Sequence, residues 1–356
     1  MEFMLLEDCC EILDSLRIPI TASDREKGIY PYYGANGIQD YVSSYIFDDD
    51  LVLLAEDGGS FGSKTKPIAY RVSGKCWVNN HAHVLKPKEG IDVDFLCYSL
   101  MFYNTKGLVN GATRQKLTQS AMRKMKIPKL HIDIQLDIVK EIKSVISIID
   151  IREKQLEKLS LLVRARFVEM FGDLKNTIRL GDCCKVHARI GWQALTRDEH
   201  MKTGEYMLVT GTDFIDGKIN YNTCVYVTRE RYEMDPHIIL RENDILITKD
   251  GSIGKVAIIH NLSKPATLNS GVFVVRPKDI FNKEYISGVF RGPLFEKFIE
   301  LSKTGATIKH LNQKHLVEFR IPLPTLEKQE VFARFSNQIN KSKVEVQRAL
   351  DEAQLL

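Results

Sequence analysis

The sequence predicts an α+β protein: two similar domains separated by an antiparallel two-helix coiled coil, with pseudo-twofold symmetry. Three observations predict it. One phrase occurs twice: Gly111-Ala112-Thr113-Arg114-Gln115-Lys116-Leu117 precedes Ile127-Pro128, and Gly305-Ala306-Thr307-Ile308-Lys309-His310-Leu311 precedes Ile321-Pro322, both at an offset of 194 residues. Repeats in solenoids run about 20–50 residues, so this period marks a duplicated domain. In each half, apolar runs lead into glycine-rich turns. Each half then closes with a long stretch free of Gly and Pro that carries a narrow apolar stripe.

The repeat extends past its loudest phrase. Leu6-Glu7-Asp8-Cys9-Cys10 is echoed by Leu180-Gly181-Asp182-Cys183-Cys184, and Asp57-Gly58-Gly59-Ser60-Phe61-Gly62 by Asp250-Gly251-Ser252-Ile253-Gly254-Lys255. These echoes are offset by 174 and 193 residues, so the halves differ by early insertions of the kind found in surface loops. Leu51–Ala55 and Asp244–Thr248 read as buried strands running into their turns. Val272–Val275 reads as another strand, stopped by Pro277. Asp94–Tyr103 and Tyr285–Leu301 read as helices.

From Ile132 to Met170, apolar residues fall at Ile138, Ile142, Val145, Ile149, Leu156, Leu159 and Val163, with Arg152 the polar member. Steps of four and three make a heptad pattern on a helix about 55–60 Å long at 1.5 Å per residue. Gly172 ends it. From Leu326 the pattern returns at Phe332, Phe335, Ile339, Val346, Ala349, Ala353 and Leu356, with Ser342 as the polar interruption. A helix with so narrow a stripe is marginal alone in water. Two in one chain can pair antiparallel and form a rod.

Composition bounds the function. At 356 residues the chain holds two or three domains. Its 50 Lys plus Arg against 46 Asp plus Glu, a net charge of +4, permit nucleic-acid binding without demanding it. The first residues lack the features of a signal peptide, and no apolar run reaches the roughly 20 residues that span a bilayer. The seven cysteines include the pairs Cys9-Cys10 and Cys183-Cys184 but no Cys-x-x-Cys. They read as buried, reduced thiols of a cytoplasmic chain.

The motifs of an enzyme are missing. Asp250–Val256 resembles a phosphate loop only faintly, with Val256 where a Ser or Thr would hold Mg²⁺. Neither an Asn/Asp-Pro-Pro-Tyr nor a Gly-x-Ser-x-Gly occurs, and there is no Pro-Asp dipeptide of the kind that opens a common nuclease motif. His81 and His83 share a face of an expected strand but lack a third ligand nearby, so no metal is expected. What is present is a set of loops rich in amides, cations, aromatics and glycine. Tyr32, Tyr33, Asn36, Gln39, Lys64 and Lys66 supply it in the first half, and Arg189, Trp192, Gln193, Lys249, Ser252 and Lys255 in the second. Asn and Gln can read adenine edges, Arg can read guanine, and Lys and Ser can hold phosphates. These twelve are the candidate DNA contacts.

Four features together resemble the specificity subunit of type I restriction–modification systems. They are the opening Leu6–Ile20, the pieces Tyr32-Tyr33-Gly34-Ala35-Asn36-Gly37-Ile38 and Leu54-Ala55-Glu56-Asp57-Gly58, the two Gly-Ala-Thr to Ile-Pro phrases, and the two long helices. The resemblance implies target-recognition domains at residues 1–130 and 172–325, a central long helix at 131–171 and a C-terminal one at 326–356. It implies a chain that is not an enzyme. Each domain would read half of a bipartite, asymmetric target in double-stranded DNA. Two methyltransferase subunits would dock on the helices and methylate adenine with S-adenosylmethionine. Restriction subunits, with ATP and Mg²⁺, can join them, so the cofactors would sit on partners and none on this chain. Two alternatives stay open: a specificity module of an orphan or single-chain methylase, and a coiled-coil scaffold for proteins.

Overall fold

The computed structural model describes residues 2–111, 115–215, 217–278, 281–304 and 311–355, apart from the side chains of Trp192, Lys303 and Thr304. The chain divides into two compact units, residues 1–148 and 149–356. In order, the first contains β1 (Phe3–Leu5), α1 (Leu6–Cys9), β2 (Cys10–Ile12), β3 (Lys27–Gly34), β4 (Gly37–Val42), β5 (Phe47–Ala55), β6 (Ala69–Val78) and β7 (Ala82–Pro87). Then come α2 (Val93–Met101), β8 (Val109–Asn110), β9 (Lys116–Leu117), α3 (Gln119–Arg123), β10 (Lys126–Pro128) and the start of α4 (Ile132–Phe171). The second unit holds the rest of α4, then β11 (Thr177–Arg179), α5 (Leu180–Cys183), β12 (Cys184–Ala188), β13 (Tyr206–Val209), β14 (Phe214–Ile215), β15 (Lys218–Ile219), β16 (Val225–Val227) and α6 (Arg229–Glu233). It continues with β17 (Ile245–Thr248), β18 (Val256–Ile258), β19 (Ala266–Leu268), β20 (Val272–Pro277), α7 (Lys283–Arg291), α8 (Pro293–Thr304), α9 (Gln313–Glu318), β21 (Arg320–Pro322) and α10 (Leu326–Ala353).

The duplication is visible in the sheets. The main sheet of the first unit runs β2-β7-β5-β6-β3-β4 and that of the second β12-β20-β17-β18-β15-β14. In both, the fourth and fifth strands are parallel, within otherwise antiparallel pairings. Each central strand feeds two cores. Val52 and Leu54 enter one apolar cluster and Leu51 and Leu53 another, while Ile245 and Ile247 point away from Leu246 in the same way. A strand covered on both faces needs apolar side chains at every position, which is why these segments read as unbroken apolar runs.

Each Ile-Pro phrase forms a short strand that closes its unit onto the unit's own start. Met4 opposes Ile127, and Ile178 opposes Ile321. The echoing Leu-x-Asp-Cys segments are single helical turns beside them. Leu6 N donates to Met125 O at 2.8 Å, and Leu180 N to Phe319 O at 2.8 Å. Each long helix is then tied to its unit by a buried glutamine. Gln135, 0 % exposed, accepts from Asp92 N at 3.0 Å and donates to Gly90 O and Leu130 O, each at 2.9 Å. Gln329, 1 % exposed, accepts from Asn282 N at 2.8 Å and donates to Pro324 O at 3.1 Å. Asp92 and Asn282 are themselves the N-caps of α2 and α7.

Helix α4 spans 40 residues, about 60 Å at 1.5 Å per residue. Its expected stripe, Ile138, Ile142, Val145, Ile149, Arg152, Leu156, Leu159 and Val163, is half-buried throughout. Within the second unit, the last turns of α4 meet the first turns of α10. Phe167 packs edge-on against Phe332 at 5.4 Å between ring centroids, and the Arg166 guanidinium lies 5.9 Å from the centre of the Phe335 ring.

Two expectations are corrected. The helix expected over Tyr285–Leu301 is two helices, α7 and α8, because Gly292 caps the first and Pro293 can only open the second. The stripe on α10 keeps its expected apolar members but has other polar ones. Phe332, Val346 and Ala353 are buried, joined by Ser336 and Leu350, while Phe335, Ile339, Lys343 and Ala349 are half-buried. Ser342, the expected polar interruption, is exposed, and Ser336 and Lys343 are the polar members. The Ser336 hydroxyl bonds Glu284 at 3.3 Å. Leu356 lies outside the described residues.

Candidate nucleic-acid interface

In the first unit, the candidate residues gather at one end of the sheet, where β5 ends, β7 begins and the β3–β4 hairpin turns. Gly34 opposes Gly37, leaving Ala35 and Asn36 at the tip. Exposed Asn36 reaches the turn after β5, donating from Nδ2 to Gly58 O at 3.0 Å. Gly58 stands at φ 66°, a left-handed conformation that glycine takes without penalty. Gln39 is exposed and accepts from Asn79 Nδ2 at 3.1 Å. Tyr33 is half-buried against Tyr70 at 5.8 Å, and the Tyr70 hydroxyl donates to Gly34 O. Lys64 and Lys66 are exposed on the next loop, whose backbone is fixed by Ser63 Oγ accepting from Thr65 N and Lys66 N.

Tyr32 does not belong to this surface. It is buried among core residues, with Arg25 stacked over its ring at 4.3 Å and its hydroxyl bonding the Ile20 backbone. Its neighbour Tyr33 points the other way, as alternate residues on a strand must.

Beneath the turn lies an ion cluster that sequence reasoning missed. His81 precedes β7 and pairs with Asp57 at 2.8 Å. His83, within β7, is buried and meets Asp14 at 2.6 Å through Nδ1 and Leu117 O at 2.9 Å through Nε2. The two histidines are therefore claimed by different carboxylates. Asp14, Glu56 and His83 converge closely enough to hold a metal ion, but cations of the chain already occupy them. Arg17 bonds Glu56 at 2.7 Å and lies 3.6 Å from Asp14, and Lys116 bonds Glu56 at 2.9 Å. An added divalent ion would meet Arg17 and Lys116, so the donor set does not fit one. Burial works against ionisation of Asp14, but hydrogen bonds from His83, Val84 N and Gln119 outweigh it and hold the carboxyl below its ordinary range. Burial likewise opposes ionisation of Glu56, and Arg17 and Lys116 overcome it. The signal available in sequence was the His-x-His alternation. Its partners lie 24 and 69 residues away, beyond the reach of a spacing argument.

In the second unit the equivalent end of the sheet carries Lys249, Ser252 and Lys255. Gly251 stands at φ 65°, matching Gly58. Thr248 Oγ1 ties the turn, donating to Ser252 O at 2.5 Å and accepting from Lys255 N at 3.0 Å. Ser252 and Lys255 are exposed, and Lys249 lies 5.5 Å from the centre of the Phe273 ring. The turns also anchor the two repeated phrases: Leu117 N donates to Glu56 O at 2.7 Å, and Leu311 N to Lys249 O at 2.8 Å. Residues 112–114 and 305–310 of those phrases, and the Trp192 side chain, lie outside the described residues.

Arg189 and Gln193 depart from the expectation of a DNA contact. Arg189 is 1 % exposed, and its guanidinium donates to Leu268 O, Gln193 O, Arg231 O and Thr267 Oγ1 at 2.8–3.4 Å. Gln193 is also buried and accepts from Ile190 N at 3.2 Å. An arginine buried to this extent, with four of its five N–H donors ending on three backbone carbonyls and a threonine hydroxyl, stitches a loop to the core and is not presented to a base.

Comparison with known proteins decides what kind of chain this is. The profile of the family described as the type I restriction modification DNA specificity domain matches residues 1–161 and again 173–353. The chain belongs to this family. A Haemophilus influenzae protein described as a type I restriction enzyme specificity subunit is 25 % identical over 350 residues, covering 92 % of this chain and 85 % of its own length. The MjaVIII specificity subunit of Methanocaldococcus jannaschii is 21 % identical over 371 residues, covering 93 % and 84 %. The fold resembles the type I specificity subunit from M. genitalium, with a TM-score of 0.54 at 13 % identity over 99 % of this chain and 93 % of that one. It also resembles a chain solved in work on assembly and conformational transition of the type I system, with a TM-score of 0.60 at 16 % identity over 99 % and 93 %. Members of the family are recognition subunits, not catalytic ones. Among the described residues, no helix is long and apolar enough to cross a membrane, and all seven cysteines are buried free thiols.

Proposed function

We propose that this type I specificity subunit reads a bipartite, asymmetric DNA target, one half with each domain, and carries two adenine methyltransferase subunits on its long helices. The observation that carries this reading is the repeated sheet, with the same strand order and the same glycine turn at the same end. Equivalent positions there differ in chemistry. Glu56, locked by Arg17 and Lys116, stands where the second unit has Lys249. Two scaffolds of one design with different tips suit two half-sites of different sequence. Tyr33, Asn36, Gln39, Lys64 and Lys66 would face one half-site, and Lys249, Ser252 and Lys255 the other.

Support for docking partners comes from α4. Beside its half-buried stripe it exposes Ile146, Ile148, Ile151, Leu161 and Leu162, apolar surface that a subunit could cover. S-adenosylmethionine would then be bound by the methyltransferase subunits, and ATP with Mg²⁺ by restriction subunits where these join. The assembly would work in the cytoplasm, where the chromosome and the buried thiols both belong.

The test changes the distance between the domains alone. Seven residues inserted after Ile149, with seven matching ones at Lys343, add about 10 Å of helix, or about three base pairs at 3.4 Å each. Methylation mapping of the assembled complex is expected to return both original half-sites with a longer spacer. Altered half-sites, or an unchanged spacer, would refute the reading.

A further inference from the structure

We propose that each reading domain is held in rotation about its long helix by a two-point joint, and that these joints set how strictly the spacer length is read. The inference rests on the bipartite reading above. In the first unit the points are Gln135 and Lys143, and in the second Gln329 and Ser336. Gln135 and Gln329 stand 194 residues apart, the offset of the domain repeat itself. Each enters its domain at the N-cap of a helix and ties it to the linker just before its own long helix. Two turns further on in the first unit, Lys143 Nζ bonds Asp94 Oδ2 at 2.5 Å. Two turns further on in the second, Ser336 Oγ bonds Glu284 Oε2 at 3.3 Å. Asp94 and Glu284 each lie two residues beyond an N-cap, Asp92 and Asn282. The same place on each domain helix is therefore tied twice to the long helix.

Two ties separated along a helix do what apolar packing does not. Ile138 and Val139 on one helix, and Phe332 and Ala333 on the other, press against their domains, but such contact is non-directional and tolerates small rotations. A buried amide with both its oxygen and its nitrogen engaged has one orientation, because rotation strands a buried donor without an acceptor. Rotation matters for DNA. One base pair turns the duplex by about 34–36°, from 10–10.5 base pairs per turn. A domain free to swing through that angle would accept a half-site displaced by one pair.

The test uses the full chain assembled with its methyltransferase subunits. Duplexes carrying both half-sites with spacers from two pairs short to two pairs long are methylated in competition. The wild type is expected to favour one spacer. Gln135→Leu and Gln329→Leu are expected to raise methylation at spacers one pair away by about tenfold, with half-site sequences unchanged. Lys143→Ala removes an exposed cation from its tie and is expected to fold as the wild type does. Ser336→Ala removes one hydroxyl from a buried position and leaves a side chain small enough for it. Both should relax spacing in the same direction by less. These two variants keep the proposal open to refutation if a leucine variant does not fold. Folded variants that all retain the single wild-type spacer would overturn the joint. A wild type that reads an uninterrupted target would instead overturn the bipartite reading, so the two failures are distinguishable.

Discussion

Phe167, on the long helix α4, sets the Cδ2–Cε2 side of its ring against Gly288 of α7. A β-carbon placed on Gly288 would stand 2.6 Å from Phe167 Cδ2 and 3.0 Å from Phe332 Cε1. The glycine makes room for the ring, which packs at 5.0 Å from Phe171 and 5.7 Å from Tyr285. The first unit solves the same position differently. Counting from the N-caps Asp92 and Asn282, the residue equivalent to Gly288 is Tyr98, a half-buried side chain packed on its own core. Gly288→Ala is therefore expected to push Phe167 out of its seat and destabilise the second unit by about 1–3 kcal/mol, the usual cost of overpacking. Urea denaturation would check this. A variant as stable as the wild type would show that the contact is slack.

The ion cluster under the Gly58 turn makes the first unit sensitive to acid. Asp14 and Glu56 both hold their protons less tightly in the folded chain than unfolded carboxyls do. Such groups contribute stability that is complete above the unfolded values of about 3.9 and 4.3. That stability is lost as pH falls through the lower folded values. Asp14→Asn should cost about 3–5 kcal/mol at neutral pH, because it leaves His83 and Arg17 facing a neutral group in a buried site. It should also flatten the fall in stability below about pH 4. Urea titrations at several pH values would measure both effects, and an Asp14→Asn protein whose stability falls with acid as steeply as the wild type would contradict the assignment.

Much of this organisation could be read from the sequence, and what could not has physical reasons. The duplication was legible because Ile127 and Ile321 do the same job: each forms the middle of a strand that closes its unit. The central strands were legible because burial on both faces leaves only apolar choices for Leu51–Leu54. Arg189 misled because its residue type and glycine neighbour suit a DNA loop, while its four acceptors come from segments up to 79 residues away. The polar members of the α10 stripe were missed because Lys343 and Ser336 look like surface residues. Their burial is imposed by what lies opposite, which heptad counting does not contain. Gln135 and Gln329 were missed for a similar reason, since a glutamine near a helix start is ordinary until its backbone partners are known.

Lys343 carries a second pH prediction, in an alkaline window, where the charged form of the group costs stability instead of supplying it. It is half-buried, and it lines a cavity of about 1640 Å³ in the second unit together with Lys218 and Arg291. Arg291 is fixed nearby through Nη2, which donates to Gly217 O at 3.2 Å. Burial, then repulsion from Arg291 and Lys218, lowers the proton affinity of Lys343 below its ordinary value. The unfolded chain therefore holds this proton more tightly, and the group's contribution to stability rises with pH toward the unfolded value of about 10.4. Lys343→Met removes the charge and keeps most of the apolar stem. It is expected to stabilise the protein at neutral pH by about 0.5–2 kcal/mol, with the advantage shrinking as pH approaches 10. Thermal melts of variant and wild type at pH 7 and pH 9.5 would test this. A destabilised variant at neutral pH would mean that Lys343 is engaged favourably in the folded chain.

Arg189 and the pair Lys64 and Lys66 separate structural from DNA-facing cations. Arg189 spends its donors on Leu268 O, Gln193 O, Arg231 O and Thr267 Oγ1. Arg189→Met would leave those acceptors unpaired in the interior. It is expected to cost about 2–4 kcal/mol of stability while leaving the salt dependence of DNA binding unchanged in the folded fraction. Lys64 and Lys66 are exposed on a loop whose backbone is held by Ser63 rather than by the lysines themselves. Alanine at either is expected to change stability by less than about 0.5 kcal/mol. If each lysine displaces one counterion from a phosphate, each substitution lowers the slope of log K against log salt by about 0.9, alike for specific and random DNA. Filter binding between 50 and 200 mM salt would decide it. An unchanged slope for Lys64→Ala and Lys66→Ala, or a reduced slope for Arg189→Met, would reverse the assignment.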